Sequence, residues 1–169
     1  VDPNSRYTAT STKIDVAGLD RSEDAYVYKD YGVNFFAGDF THKITAYIGS
    51  ASQNGGFLSM AWGLANALND VSGLRGAAEN YLECYITKND ASNRTINIAE
   101  YYGSNVVDTS INLSLDTPYY LTIVRDEAVG TYGTLYCYIY SDSARTTLVD
   151  TLTITLRAKV DFRYLYGAN

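Results

Sequence analysis

The chain has 169 residues, 46% apolar and 19% charged, the composition of an ordered globular domain and one too short for two comfortable domains. Thirteen basic against nineteen acidic residues give a net charge of −6, and no run of Lys or Arg is present to track a phosphate backbone, which argues against nucleic acid as a partner. The longest apolar stretches are strand-sized and broken by polar residues, so no membrane insertion and no signal-peptide core are expected.

Apolar and polar residues alternate with period two along the whole length, and no stretch keeps apolar positions at helical spacing for more than a turn or two. This pattern predicts strands near Tyr7–Val16, Ala25–Tyr31, Asp39–Gly49, Phe57–Asn66, Tyr81–Lys88, Arg94–Tyr102, Tyr119–Asp126, Thr134–Ser141, Leu148–Leu156 and Val160–Tyr166. Gly and Asn clusters supply turns at Gln53-Asn54-Gly55-Gly56, Lys88-Asn89-Asp90, Gly103-Ser104-Asn105 and Gly130-Thr131-Tyr132-Gly133. The segment Ala65–Asn80 is read as a long loop, because Gly73 and Gly76 would end any helical turns begun at Ala65–Val71. Strands spaced too closely for intervening helices imply an all-β fold of two packed sheets or a barrel. The chain stops three residues past the last predicted strand, so residues 1–169 are expected to be a single domain excised from a larger protein.

Seventeen residues are tyrosine. In Leu135-Tyr136-Cys137-Tyr138-Ile139-Tyr140 the aliphatics and Cys137 fall on one face of a strand and the phenols on the other. Tyr81 and Tyr85 share an outward face in the same way, with Glu83 between them and Asn97 and Tyr101 expected on the neighbouring strand. If these strands lie in one sheet, the rings form a platform that can stack on sugar rings or fill a protein interface. Trp62 shares its predicted face with Leu58, Met60 and Leu64 and is read as core, while Ser59, Ala61 and Gly63 on the reverse are small enough to floor a groove.

Cys84 and Cys137 each lie between inward aliphatics. Two reduced core thiols are the simpler reading, and a disulfide becomes accessible if the two strands are neighbours. His42, alternating with Phe40 and Ile44, reads as a core or rim histidine. With one His and no C-x-x-C there is no transition-metal pattern, and there is neither a G-x-S-x-G nucleophile elbow nor a phosphate-binding glycine loop.

Pro118-Tyr119-Tyr120-Leu121-Thr122-Ile123-Val124-Arg125-Asp126, a Gly-containing turn, and then Leu135 through Asp142 resemble the paired strands of concanavalin A-like lectin/glucanase domains, laminin-G-like domains among them. Those domains commonly read as an aromatic, x-L-T-V-x-R, a turn and an alternating strand ending in Y-x-D-G; here Ser143 stands in place of the Gly. Asp39–Ile44 and Ala61–Asn66 look like the early core strands of similar modules, and the resemblance spans about residues 25 to 166. It implies a two-sheet antiparallel jelly-roll sandwich, in a group that includes lectins, carbohydrate-binding modules, glycanases, lyases, adhesion domains and viral structural domains.

Glycanases of that group resemble one another in an E-x-D-x-E strand, and a retaining mechanism needs carboxyl groups about 5–5.5 Å apart. The nearest analogue here is Glu79-Asn80-Tyr81-Leu82-Glu83, with Tyr81 at the central acid's position. Along an extended strand Glu79 and Glu83 have Cα atoms roughly 13 Å apart, which disfavours an enzyme. No cofactor is called for by the motifs; calcium alone is left open by scattered acids such as Asp24, Asp30, Asp39 and Asp161, although no D-x-D-x-D-G loop is present.

The expectation is therefore a non-catalytic carbohydrate-binding or adhesion module, extracellular or virion-associated, whose partner is an oligo- or polysaccharide held by Tyr81, Glu83, Tyr85, Asn97, Tyr101, Tyr136, Tyr138 and Tyr140. The alternative is a structural or interaction domain of a viral particle or other large assembly, with the tyrosines against other subunits. A glycoside hydrolase using Glu79 and Glu83 is the third reading.

Overall fold

The computed structural model describes residues 1–18, 23–49, 57–88 and 94–168. The expected turns at Gln53–Gly56 and Asn89-Asp90, and the side chain of Leu58, lie outside the described residues. In chain order the elements are β1 (Tyr7–Ala9), β2 (Ile14–Val16), β3 (Tyr26–Asp30), β4 (Phe40–Tyr47), β5 (Phe57–Ala65), α1 (Val71–Gly76), β6 (Tyr81–Lys88), β7 (Arg94–Tyr102), β8 (Asn105–Asn112), β9 (Pro118–Asp126), β10 (Thr134–Tyr140), β11 (Leu148–Thr155) and β12 (Tyr164–Ala168). The fold is all-β and every strand pairing is antiparallel. A four-stranded sheet has the order β11-β10-β9-β4 and a six-stranded sheet the order β3-β12-β5-β6-β7-β8, while β1 and β2 form a separate hairpin.

The arrangement is sandwich-like because the apolar faces of the two sheets share one core. Ala46 of β4, Leu121 and Ile123 of β9, Leu135, Cys137 and Ile139 of β10 and Leu152 and Ile154 of β11 meet Trp62 and Leu64 of β5, Leu82 and Cys84 of β6 and Ile96 and Ile98 of β7. Alternation dictates this: with period two, each strand offers every second side chain to the partner sheet.

Three expectations are corrected. The predicted strand Tyr7–Val16 is a hairpin of two short strands turning at residues 10–13, where the Thr10 hydroxyl accepts from the Thr12 and Lys13 amides. The Gly103-Ser104 turn leads directly into an unpredicted strand, β8, paired along β7. The presumed loop between Ala65 and Asn80 contains α1, which starts at the Asp70 cap, accepting from the Gly73 amide at 2.7 Å, and runs through Gly73 because Val71 and Leu74 are buried against the outer face of the six-stranded sheet.

A bulge in β5 also re-aims one residue. The register with β6 shifts between Met60 and Trp62, so Trp62 and Leu64 enter the shared core while Met60 turns to the opposite face. Met60 there lies over Gly63: a Cβ at Gly63 would stand 2.3 Å from its sulfur. Gly63 thus accommodates a thioether and does not floor an open groove.

One end of the core is closed by Arg125, 2% exposed, whose guanidinium donates to the carbonyls of Gly38 (2.6 Å), Val160 (2.7 Å) and Phe36 (3.3 Å) and pairs with Glu127 at 3.2 Å. It also lies 5.2 Å from the Phe40 ring centroid. A single side chain of β9 thereby ties down the segments before β4 and β12, which meet at the Phe36–Phe162 bridge. Arg125→Met strands those carbonyls in a buried end, and we expect it to cost about 3–5 kcal/mol of unfolding free energy in urea titration; a loss below about 1 kcal/mol would mean that water takes over all of them.

Candidate functional site

The tyrosines of β10 face solvent because Leu135, Cys137 and Ile139, all 0% exposed, face the core. Tyr136, Tyr138 and Tyr140 are half-buried in a row on the outer face of the four-stranded sheet, the first two stacked with ring centroids 5.9 Å apart and planes 13° from parallel. Strand register fixes what surrounds them. Tyr138 lies between Thr122 and Thr151, with Lys43 one strand beyond Thr122; Tyr136 lies between Val124 and Thr153; Tyr140 is opposite Tyr120, whose other neighbour is Thr45. The face is open and built of phenol rings and threonine hydroxyls. A shallow depression of about 380 Å³ at one end is lined by Asp39, Phe40, Thr41, Val124, Arg125 and Asp126.

The other end carries Arg145, its guanidinium 5.8 Å from the Tyr120 ring centroid and donating to the Ile44 carbonyl at 3.3 Å. The β10–β11 loop holds it there through Asp142, whose carboxylate accepts from the Thr147 amide (2.6 Å), the Thr146 amide (3.1 Å) and the Thr146 hydroxyl (3.0 Å). Those bonds, the Thr147 amide foremost, hold the Asp142 carboxyl below the usual carboxylate range.

The remaining expected site residues lie elsewhere. Tyr81, Glu83, Tyr85, Asn97 and Tyr101 belong to the outer face of the six-stranded sheet, so they form no common platform with Tyr136, Tyr138 and Tyr140. Tyr81 and Glu83 are wholly buried under α1, and Tyr85 and Asn97 are buried as well. Arg75 of α1 sits 4.7 Å over the Tyr101 ring, donates to the Tyr81 hydroxyl at 3.2 Å and pairs with Glu83 Oε1 at 3.2 Å. Tyr81 and Tyr101 stack at 4.4 Å, the Tyr85 hydroxyl donates to Asp108, and the Asn97 amide donates to the Tyr85 carbonyl. This group satisfies itself internally, apart from Glu83 Oε2, which is buried without a hydrogen-bond donor. Burial pushes the Glu83 carboxyl up to about 7, against the opposing pull of Arg75 and with a further push from Asp108.

Glu79 lies in the turn after α1, its amide donating to the Leu74 carbonyl. His42 Nδ1 accepts from the Trp62 indole at 2.9 Å and its ring stacks on Phe40; burial pulls its imidazole down toward the neutral form. Asp30 pairs with Arg163 at 2.7 Å, Asp39 accepts from the Glu127 amide, and Asp161 lies 3.8 Å from Arg125. Among the described residues no cluster of three or more His, Cys, Asp or Glu could hold a metal ion, and no helix is long and apolar enough to cross a membrane.

Tyr120 was findable from sequence: Leu121 and Ile123 alternate inward as Leu135 and Ile139 do, which turns Tyr120 to the phenol face. Arg145 gave no such signal, since its place depends on a loop with φ of +58° at that residue. A second tyrosine cluster, Tyr26 stacked on Tyr166 with Tyr28 and Tyr164 beside them, also escaped the pattern, because it depends on β3 and β12 pairing across the length of the chain.

Compared with protein-family models, curated proteins and solved structures, the chain matches none.

Glu83 generates a pH prediction. A carboxyl that holds its proton more tightly folded than unfolded contributes stability that is complete below the unfolded value and lost as pH rises through the folded one. Between pH 4.5 and about pH 7, wild type should therefore lose on the order of 3 kcal/mol relative to Glu83→Gln. Urea midpoints of both proteins across that window test it, and parallel curves would show that folding leaves the proton affinity of Glu83 unchanged.

Proposed function

We propose that the chain is a non-catalytic carbohydrate-binding or adhesion module, a jelly roll of the concanavalin A-like kind, that takes an oligo- or polysaccharide on the outer face of its four-stranded sheet. The observation that carries this reading is the row Tyr136, Tyr138 and Tyr140, half-exposed, in register with Tyr120 and flanked by threonines. Phenol rings stack on the apolar faces of sugar rings while hydroxyls from Thr122, Thr151 and Thr153 exchange hydrogen bonds with sugar hydroxyls. Fixing a flexible glycan offsets much of that contact energy, so binding is weak and reversible. A non-catalytic role is supported by Glu83, which lies at 0% exposure beneath α1 and is held by Arg75. Such a module belongs outside the cell or on a virion.

A second reading rests on a different patch. Tyr28, Tyr31, Val33 and Phe35 expose 40–75% of their surface around the end of β3, an arrangement suited to contact with another subunit of an assembly. Under that reading the mass in solution rises with concentration and Phe35→Ser abolishes the rise.

The direct test is a glycan array with and without calcium, run on wild type, Tyr138→Ala and Tyr101→Phe. We expect selective binding that Tyr138→Ala weakens at least roughly tenfold, about 1.4 kcal/mol, with Tyr101→Phe unchanged. Silence of the wild type across the array under both conditions would remove the glycan reading.

A further inference from the structure

Cys84 of β6 and Cys137 of β10 belong to different sheets, yet both point into the shared core, both are fully buried, and the Cys84 thiol lies within hydrogen-bonding reach of Cys137. Each is the smallest inward residue of its strand, Cys84 between Leu82 and Ile86, Cys137 between Leu135 and Ile139. Facing sheets pack about 10 Å apart on average, while a disulfide requires Cα atoms within about 6.8 Å. Two small side chains facing one another leave room for β6 and β10 to approach across the core.

We propose that Cys84 and Cys137 are a cross-sheet disulfide pair, closed when the chain folds in the presence of a small-molecule disulfide such as oxidised glutathione, and sealed as two thiols when it folds without one. Burial sets the timing. The attacking species is a thiolate, and inside the folded core the hydrogen bond to Cys137 and burial hold the Cys84 thiol protonated. With both sulfurs at 0% exposure, no reagent reaches them from solvent. In the unfolded or partly folded chain, one cysteine thiolate attacks the sulfur–sulfur bond of oxidised glutathione, forming a mixed disulfide and releasing one glutathione. The second cysteine thiolate then displaces the other glutathione, and the Cys84–Cys137 bond forms. Two protein thiols are oxidised, one glutathione disulfide is reduced, and the two protons end on the two glutathiones released. The bond closes a loop containing β7, β8 and β9 and pins the two sheets at their centre.

The test refolds the full chain from reduced, urea-unfolded protein, with reduced glutathione alone or with a reduced and oxidised mixture, and measures intact mass, titratable thiols and melting temperature. We expect the oxidatively refolded monomer to be lighter by two hydrogen atoms, to show no thiol in denaturant, and to melt roughly 10 °C higher than the reduced form. The reduced form should show both thiols in denaturant and neither when native. Cys137→Ala should melt at one temperature under both refolding conditions. Two free thiols after oxidative refolding, a retained glutathione adduct, a disulfide-linked dimer, or a melting difference that survives in Cys137→Ala would overturn the proposal.

Discussion

Burial of one face of each sheet in a shared core is the constraint on which everything else in this structure depends. A strand slipped by one residue exchanges all its inward and outward side chains. For β10 that would send Tyr136, Tyr138 and Tyr140 into the core and put Leu135, Cys137 and Ile139 in water, forfeiting the burial of several large side chains at about 1.5–3 kcal/mol each. The phenol face is thus held by the aliphatic face behind it. The rings need no contacts of their own to be aligned, which leaves them available to a ligand.

Polar groups are handled in two distinct ways around that core. At one end, Arg125 is buried but fully engaged by carbonyls and carboxylates, and it joins segments distant in sequence. On the outside of the six-stranded sheet, Arg75 and Glu83 meet under α1 with one carboxylate oxygen left unpaired, a less complete solution that makes α1 sensitive to protonation. The two outer faces therefore differ in kind: one is covered by a helix and internally bonded, the other is open.

Much of the strand pattern was legible because half-buried strands write their alternation into the sequence. Tyr81–Lys88 and Arg94–Tyr102 are central strands flanked on both sides, and their predicted limits coincide with β6 and β7. β8 was missed because, as an edge strand, it only half-buries its inward residues Val107, Thr109 and Ile111 and exposes Val106, Asp108, Ser110 and Asn112 on the other face. α1 was missed because its stability comes from Val71 and Leu74 against the sheet and from the Asp70 cap, while Gly73 and Gly76 speak against a helix locally. Met60 was placed on the wrong face because a bulge breaks the period that the prediction assumes. The partition of tyrosines between two outer faces was not legible at all, since it depends on which strands share a sheet. For that reason the expected single platform became two separate groups of side chains.

The central claim is that ligand binding belongs to the open phenol face. Its most direct measurement is an NMR titration of ring-labelled tyrosines, assigned by single substitutions, with a panel of neutral and uronate-bearing oligosaccharides. Binding on that face would confine the shifts to Tyr120, Tyr136, Tyr138 and Tyr140 and leave Tyr81, Tyr85 and Tyr101 unmoved. Shifts at Tyr81, Tyr85 and Tyr101 with the β10 row silent would contradict it.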